Sequence, residues 1–278
     1  MLACDLAFLT LLLKRRTGIA LNPHKTSQIA TRLAPVARRF GFRNVDELLR
    51  ELPQGRESML APVIEAMTTN DTWFFRDRAP FEQFREIILA DLMSRRTRSK
   101  KLRIWCAAAS TGQEAYTLAM ILHEAGLAAD GWEIELLATD ISGECIARAK
   151  EGLYTSFEIQ RGLGIKRLIT HFTQENGGWR IGEHLRRMVK FRTFNLLDDY
   201  GWLDEVDVIF CRNVLLYFEQ RTKTQMLDRL SDILAPDGYL VVGAAELPHE
   251  VSRAFERLPE TRGLYIRSET EERYAAML

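Results

Sequence analysis

Residues 102–116 read LRIWCAAASTGQEAY, a strand-type apolar run that passes through small residues into a segment with helical spacing. The same alternation of strand-type and helical segments continues along the chain. Further strand-type runs occupy residues 134–139, 188–194, 206–211 and 239–242, with helical segments near 112–126, 142–151 and 219–234 between them. This alternation predicts βαβ units and a mostly parallel sheet.

The end of this region indicates how the sheet closes. Residues 255–258 and 264–267 are apolar runs that flank a Pro- and Gly-containing turn at 259–263, which predicts an antiparallel hairpin at the sheet edge. Five parallel strands closed by a hairpin make a doubly wound α/β fold. Such a fold hosts many unrelated functions, so the function has to be argued from the site.

One connection is too long for an αβ loop, which usually takes a handful of residues. About 36 residues lie between the helix that ends near 151 and the strand at 188. They contain a helical piece at 163–172 and then Gly177-Gly178 between two polar or aromatic runs. Together with residues 188–194, they predict a small antiparallel β insertion at about 155–190.

The N-terminal quarter differs from the rest. Residues 1–69 show helical periodicity and no strand signal, with breaks at Asn22-Pro23, Gly41 and Pro53. The apolar run 6–13 is too short to span a membrane and has its basic residues on the wrong side for a signal peptide, so it predicts a buried helix. Residues 76–98 predict a further helix.

These patterns divide the chain into three parts. We expect a helical domain at 1–75, a sheet domain at 76–268 that contains the β insertion, and a tail at 269–278. The four cysteines are scattered without metal-ligand spacing, which predicts no metal site and a reduced, cytoplasmic setting.

Charge is balanced over the whole chain but not along it. The chain has 38 Lys and Arg against 38 Asp and Glu, which argues against a general nucleic-acid binder. Residues 1–60 hold ten basic and five acidic residues. Lys25, Arg32 and Arg39 recur every seven residues and would fall within roughly 40° of each other on one helix. Such a stripe suits an acidic partner helix, and the alternative is a solvated face that Pro35 kinks.

Polar side chains follow the predicted strands where ligands bind in doubly wound sheets. Asp140 ends the second strand, where it could accept both ribose hydroxyls of an adenosine or cap the next helix. Arg212 and Asn213 end the fourth strand as a site pair or as a loop anchor. The first strand lacks a GxGxxG turn, which weakens a dinucleotide interpretation.

The stretch Asn70-Asp-Thr-Trp-Phe-Phe-Arg76 lies at the junction of the two domains. It is either an interdomain staple with its three aromatic residues in the core, or a ligand-binding segment. The segments NDTWFFR, IWCAAASTGQEAY, LLATD, FNLLDD and FCRNVLLYF, followed by LAPDGYLVVGAAE, together resemble the chemotaxis receptor methyltransferases (CheR). The resemblance runs from the helical module to about Arg267, and the order of the motifs is very specific.

The resemblance implies a class I S-adenosylmethionine methyltransferase fold, Rossmann-like, with a helical receptor-recognition domain. It implies a cofactor pocket lined by Asn70, Thr72, Arg76, Ala109, Glu114, Asp140, Asn195, Leu196, Arg212 and Asn213. Asp140 would take the ribose hydroxyls and Glu114 would face the amino group of the methionine moiety. Asn195 and Leu196 would frame the adenine. Arg76 and Tyr217 would be catalytic, near the methyl group and the incoming carboxylate.

The implied reaction is the methylation of glutamate γ-carboxylates on chemotaxis receptors by S-adenosyl-L-methionine, which leaves S-adenosyl-L-homocysteine. An ionised carboxylate needs no general base, so catalysis would be alignment and desolvation. The partner would be the cytoplasmic helical bundle of the receptors, docked on Lys25, Arg32 and Arg39. We expect a cytoplasmic monomer without nucleic-acid binding or membrane insertion. The short turn 174–178 favours independence from a receptor C-terminal pentapeptide.

Two other functions fit parts of the sequence. One is a non-catalytic module that binds the cofactor to regulate a partner, and the retained pocket positions together with Arg76 and Tyr217 argue against it. The other is methyl transfer to a small molecule or nucleic acid, against which the basic N-terminal module argues.

Overall fold

The computed structural model describes residues 3–22, 25–55 and 57–268; the predicted tail lies outside the described residues. The helical domain consists of four helices, which are α1 (Ala3–Thr17), α2 (Thr26–Arg39), α3 (Val45–Glu51) and α4 (Glu57–Met67), with a 3-10 turn at Leu52–Gln54. Its core is separate and contains Leu9, Leu13 and Leu33, all fully buried. The prediction that 6–13 forms a buried helix is confirmed. No helix among the described residues is long and apolar enough to cross a membrane.

The next helical region begins later than predicted. It consists of α5 (Ala79–Gln83), a π-helical segment (Phe84–Leu89) and α6 (Ala90–Arg95). The expected start at 76 is wrong because Asp77 and Arg78 have φ values of 67° and 47°, which a right-handed helix excludes. Pro80 then occupies the first turn, where its missing N–H costs nothing.

The sheet domain contains ten strands and six further helices. The strands are β1 (Lys101–Ala107), β2 (Glu133–Asp140), β3 (Leu153–Tyr154), β4 (Phe172–Glu175), β5 (Gly178–Ile181), β6 (Val189–Thr193), β7 (Val206–Cys211), β8 (Leu234–Val242), β9 (Phe255–Arg257) and β10 (Leu264–Arg267). The helices are α7 (Gln113–Glu124), α8 (Gly143–Glu151), α9 (Ser156–Gln160), α10 (Ile165–His171), α11 (Glu183–Arg186) and α12 (Gln220–Ile233).

The main sheet is doubly wound and mostly parallel, as predicted, and its strand order is β6-β2-β1-β7-β8-β10-β9. Its first five strands pair in parallel, and β10 and β9 add the antiparallel hairpin. The chain winds outward from β1 in one direction and then from β7 in the other. The strand order therefore reverses between β1 and β7, and a crevice opens at their carboxyl ends.

The insertion is a separate three-stranded antiparallel sheet in the order β3-β5-β4. The sequence interpretation joined residues 188–194 to it, and this is wrong because β6 pairs in parallel with β2 in the main sheet. The third strand is instead β3, only two residues long, which is too short to show a periodic pattern.

Candidate active site

A cavity opens at the carboxyl ends of β1, β2 and β7, where the strand order reverses. The empty space within it, counted together with its open mouth, is about 860 Å³. The helical domain contributes Thr17, the last residue of α1, and Ile19 just beyond it. It also contributes Thr68 and Thr69, which follow α4. The cavity therefore lies between the two domains, and its helical wall was not predicted from the sequence.

The turn between β1 and α7 forms the floor of the cavity. Ala108 and Ser110 line it and have φ values of 60° and 50°. Ala109 between them was predicted to line the pocket, but its side chain is buried in the core and its N–H donates to the Thr139 carbonyl at 2.8 Å. The alternation of side chains through the turn is the reason for this correction. Gly112 is required because an added Cβ would lie 2.8 Å from the Cβ of Ala149.

Asp140 lines the cavity and is buried. Its Oδ2 accepts the N–H of Ser110 at 2.7 Å, and its Oδ1 accepts the N–H of Ser142 at 2.9 Å. Burial raises the pKa of Asp140, although these backbone donors oppose the shift. The helix-cap alternative is wrong, because Ser142 caps α8 through the N–H of Cys145. Each Asp140 oxygen keeps a further acceptor position for a ligand.

Glu114 and Arg212 form a buried ion pair on the cavity wall. Arg212 Nη1 donates to Glu114 Oε2 at 2.6 Å, and Nη2 donates to the Arg76 carbonyl and to Asp77 Oδ2 at 3.0 and 2.8 Å. Arg212 Nε is buried without a hydrogen-bond partner among the described residues. The residue therefore anchors the strained 75–78 segment and still has one donor left for a ligand.

Glu246 organises the loop after β7, and no role for it was predicted from the sequence. It is 3% exposed, and its carboxylate accepts the N–H groups of Asn213, Leu215 and Gly243, each at 2.7 Å. Burial raises its pKa against the effect of these donors. Its position just after β8, another parallel strand, was a signal that could have identified it. Asn213, held at φ 58°, lines the cavity as predicted.

Arg76 and Tyr217 both line the cavity. Arg76 Nη1 donates to the Asp71 carbonyl at 2.8 Å, its guanidinium lies 4.5 Å from the Trp73 ring centre, and its Nε is buried without a partner in the described part of the chain. The Tyr217 carbonyl accepts the N–H of Ala20 at 2.8 Å. Asn70 and Thr72 line the same cavity.

The segment 70–76 also connects the two domains through buried aromatic side chains. The interdomain and the ligand-binding interpretations of this segment therefore both hold in part. Phe74 and Phe75 are buried in the core of the sheet domain. Trp73 is only partly buried, which corrects the expectation that all three aromatic side chains are core residues.

Asn195 and Leu196 also line the cavity. The Asn195 amide is already used, because its Nδ2 donates to the Arg16 carbonyl at 2.7 Å and its Oδ1 accepts the N–H of Leu197 at 3.1 Å. The side chain therefore ties the end of α1 to the loop after β6. Leu196 remains as an apolar wall at this end of the cavity.

The basic stripe is not continuous. Lys25 is exposed but precedes α2, so the argument from helical spacing does not apply to it. Arg32 is bonded to the end of α4, where its guanidinium donates to the carbonyls of Met67 and Thr68 and to Thr69 Oγ1 at 3.0 to 3.2 Å. Arg32 therefore has a structural role at the junction of α2 and α4, and its role as a docking cation stays a prediction. Arg39 is exposed at the end of α2.

Two family models match almost the whole chain. The one described as CheR methyltransferase, SAM binding domain matches residues 70–264, and the CheR methyltransferase, all-alpha domain matches residues 5–68. The chain belongs to the CheR methyltransferase family. S-adenosylmethionine is therefore its cofactor, and the chain is a methyltransferase of chemotaxis.

Relatives of similar length support this membership. Chemotaxis protein methyltransferase 1 of Pseudomonas aeruginosa is 34% identical over 268 residues, covering 95% of this chain and 97% of the relative. Chemotaxis protein methyltransferase Cher2 of Pseudomonas putida is 37% identical over 239 residues, covering 84% and 86%. A chemotaxis protein methyltransferase of Vibrio parahaemolyticus is 34% identical over 248 residues, covering 88% and 89%.

The residues around the cavity fit the cofactor that the CheR family uses. Asp140 offers acceptor positions for hydroxyl groups, and Arg212 Nε offers a buried donor for an anionic group. Leu196 and Phe194 offer apolar surface for a base. S-adenosylmethionine has a group for each of them: ribose hydroxyls for the acceptors, a carboxylate for the donor and adenine for the apolar surface.

Proposed function

We propose that this CheR family member transfers the methyl group of S-adenosylmethionine to glutamate γ-carboxylates on chemotaxis receptors and forms methyl esters. The observation that carries the proposal is Arg76, a cation at the cavity wall whose buried Nε has no partner among the described residues. A carboxylate is the substrate group that such a donor binds best. The bound cofactor supplies a methyl group already activated by its sulfonium.

We propose the following roles on the cofactor side. Asp140 accepts the ribose hydroxyls. Glu114 faces the amino group of the cofactor, although its carboxylate is also paired with Arg212. Leu196 packs on the adenine beside the backbone of Asn195. The remaining proposed contacts come from Asn70, Thr72, Arg212 and Asn213, which share the cavity wall.

The protein's part in the chemistry is orientation. The glutamate carboxylate is ionised at neutral pH, so no side chain has to remove a proton. Arg76 directs the carboxylate without binding it too tightly, because its guanidinium also bonds the Asp71 carbonyl and lies over Trp73. Tyr217, which also lines the cavity, excludes water from the reacting groups. Alignment of this kind can supply most of the rate enhancement of a transfer between two bound groups.

The proposed partner is the cytoplasmic helical bundle of the receptors, which requires a cytoplasmic enzyme. Clustered receptor glutamates complement the excess of basic residues in the helical domain. Lys25 and Arg39 remain as exposed cations for docking. A monomer that acts without a receptor pentapeptide tether stays our expectation, because β4 and β5 are joined by a short turn.

Kinetics of Arg76→Ala test this proposal. We expect turnover on receptor fragments to fall at least about 100-fold, since an aligned charge contact is lost in the transition state. The affinity for S-adenosylhomocysteine, measured by calorimetry, should change less than about threefold. Arg78→Ala is the matched control, because Arg78 is exposed and lies outside the cavity. Wild-type turnover in Arg76→Ala at saturating substrates would contradict the proposal.

A further inference from the structure

A second groove adjoins the cofactor cavity and has the two domains as its walls. Arg32 and Arg39 of α2 and Glu65 of α4 form one wall, and Arg148 of α8 and Arg161 after α9 form the other. Residues 70–72 line both the groove and the cavity, so a single chain segment separates them. A substrate side chain in the groove would therefore reach Arg76 by extending over this segment.

Two guanidinium groups converge on this dividing segment. The guanidinium carbons of Arg76 and Arg161 lie 4.5 and 4.2 Å from the centre of the Trp73 ring. Asp71 binds both of them, since its carbonyl accepts from Arg76 Nη1 at 2.8 Å and its Oδ1 accepts from Arg161 Nη1 at 2.9 Å. Arg76 faces the cavity, and Arg161 faces the groove.

The position of Arg161 is fixed by its neighbour. Gly162 has φ +98° and packs so closely against Trp73 and Phe74, just after the dividing segment, that an added Cβ would lie 2.0 Å from the Phe74 carbonyl oxygen. Only glycine permits this approach. The loop between α9 and α10 therefore holds Arg161 beside Trp73.

The Arg161–Asp71 ion pair is open to exchange. The two side chains are 40% and 57% exposed. Ion pairs this exposed contribute little to stability, so an incoming carboxylate can replace Asp71. The planar guanidinium can bind that carboxylate through two N–H groups.

We propose that Arg161 is a specificity-determining residue that binds a second carboxylate of the substrate helix while Arg76 orients the one to be methylated. Asp71 holds the Arg161 site until the substrate arrives. Side chains three or four residues apart on a helix share one face with Cβ atoms about 5–6 Å apart, so neighbouring glutamates can reach two cations that flank one indole ring. The inference rests on the proposed function, and it makes a pair of carboxylates, rather than one, the recognised feature.

Steady-state methylation of receptor fragments tests the inference. Arg161→Gln should raise KM for the receptor about fivefold, the loss of roughly 1 kcal/mol, with kcat and S-adenosylhomocysteine affinity within twofold of wild type. Arg161→Lys keeps the charge and should recover part of the loss. Asp71→Asn keeps the carbonyl that binds Arg76 but removes the competing charge, so it should lower KM. Arg85→Gln is the control, because Arg85 is in an exposed ion pair with Glu86 away from the groove.

A receptor variant completes the test. In the receptor fragment, glutamine would replace the glutamate that lies three or four residues from the methylated one. This replacement should raise KM for the wild-type enzyme. It should have little further effect on the KM of Arg161→Gln, because both changes remove the same contact. Additive effects, or an unchanged KM in Arg161→Gln, would overturn the inference. A fall in kcat or in product affinity would also overturn it, since Arg161 would then act through Trp73 on the cavity. Wild-type enzyme that labels no receptor would instead refute the proposed function, and the inference with it.

Discussion

Asp140 already binds two backbone N–H groups before any ligand is present, so its carboxylate is oriented in advance. Asp140→Ala should weaken S-adenosylhomocysteine binding by about 2–4 kcal/mol, because two charge-assisted hydrogen bonds are lost. Calorimetry measures this directly. Asp198→Ala, a change at an acidic residue outside the cavity lining, is the control. Unchanged affinity in Asp140→Ala would refute the ribose assignment.

The raised pKa of Asp140 adds a pH dependence to the same measurement. Only the ionised carboxylate offers all its acceptor positions, so product affinity should fall as the pH falls through this pKa. Burial is the main cause of the shift, and the fall should therefore begin at a higher pH than for an exposed aspartate. In Asp140→Asn this part of the pH profile should be flat. An identical profile in the variant would assign the titration to another group.

Glu246 is the residue on which the loop after β7 depends. Glu246→Gln replaces one acceptor oxygen by an NH₂ group that faces backbone N–H donors, so we expect a loss of about 1–3 kcal/mol in the free energy of unfolding. Urea denaturation measures this loss. Glu250→Gln is a suitable control, since Glu250 is exposed in the following 3-10 turn. Equal stability of the two variants would mean that the loop is held by other contacts.

The cations on helix α2 and just before it are of two kinds: Arg32 is hydrogen-bonded to the end of α4, whereas Lys25 and Arg39 are exposed. Arg32→Ala should lower the free energy of unfolding by about 1–2 kcal/mol, because the guanidinium bonds the last carbonyls of α4. The double change Lys25→Glu and Arg39→Glu should leave stability nearly unchanged. It should raise KM for the receptor several-fold and reduce the dependence of KM on salt. Wild-type KM in the double variant at low ionic strength would identify these residues as a solvated face.

Most elements could be predicted because their patterns are long. The five parallel strands and the closing hairpin follow from apolar runs separated by helical segments, and the sheet order confirms them. Two elements could not be predicted. β3 has two residues and no period. The helix expected from residue 76 starts at Ala79 because Asp77 adopts positive φ, and in this conformation its carboxylate accepts a hydrogen bond from Arg212. That contact is tertiary, and local sequence carries no signal for it.

At the scale of the whole molecule, three histidines join the insertion to the main domain. His123 ends α7, His171 ends α10 and His184 lies on α11, and His171 Nδ1 is 3.3 Å from His184 Nε2. Glu124 and Arg167 pair beside them. Burial is the main cause that lowers the pKa of both His171 and His184.

This cluster should make stability depend on pH. Unfolded histidines bind protons below about pH 6.5, whereas the folded pair resists protonation, so stability is present above that value and is lost as the pH falls through it. Denaturant unfolding between pH 7 and 5 should show this loss, and it should be smaller in His171→Gln. His249→Gln, a change outside the cluster, should keep the wild-type slope. Equal slopes in all three proteins would contradict the interpretation.

Much of the site could also be predicted, because ligands of doubly wound sheets bind at the carboxyl ends of the parallel strands. Asp140, Arg212 and Asn213 follow parallel strands and line one cavity. The rest depends on how the two domains meet. Thr17 and Ile19 complete the wall only because Ile19 pairs with Phe218, and Arg32 is bonded only because α4 ends beside it. Neither contact has a spacing in the sequence that would reveal it.

The linkage formed by the transferred methyl group tests the central claim most directly. Receptor-containing membranes would be incubated with the enzyme and S-adenosylmethionine labelled in its methyl group, and the labelled receptor would then be treated with mild alkali. We predict that the label is released as methanol, since a glutamate methyl ester hydrolyses in base, and that Arg76→Ala gives almost none. Label that resists alkali, or that appears on nucleic acid or small molecules instead of the receptor, would contradict the account.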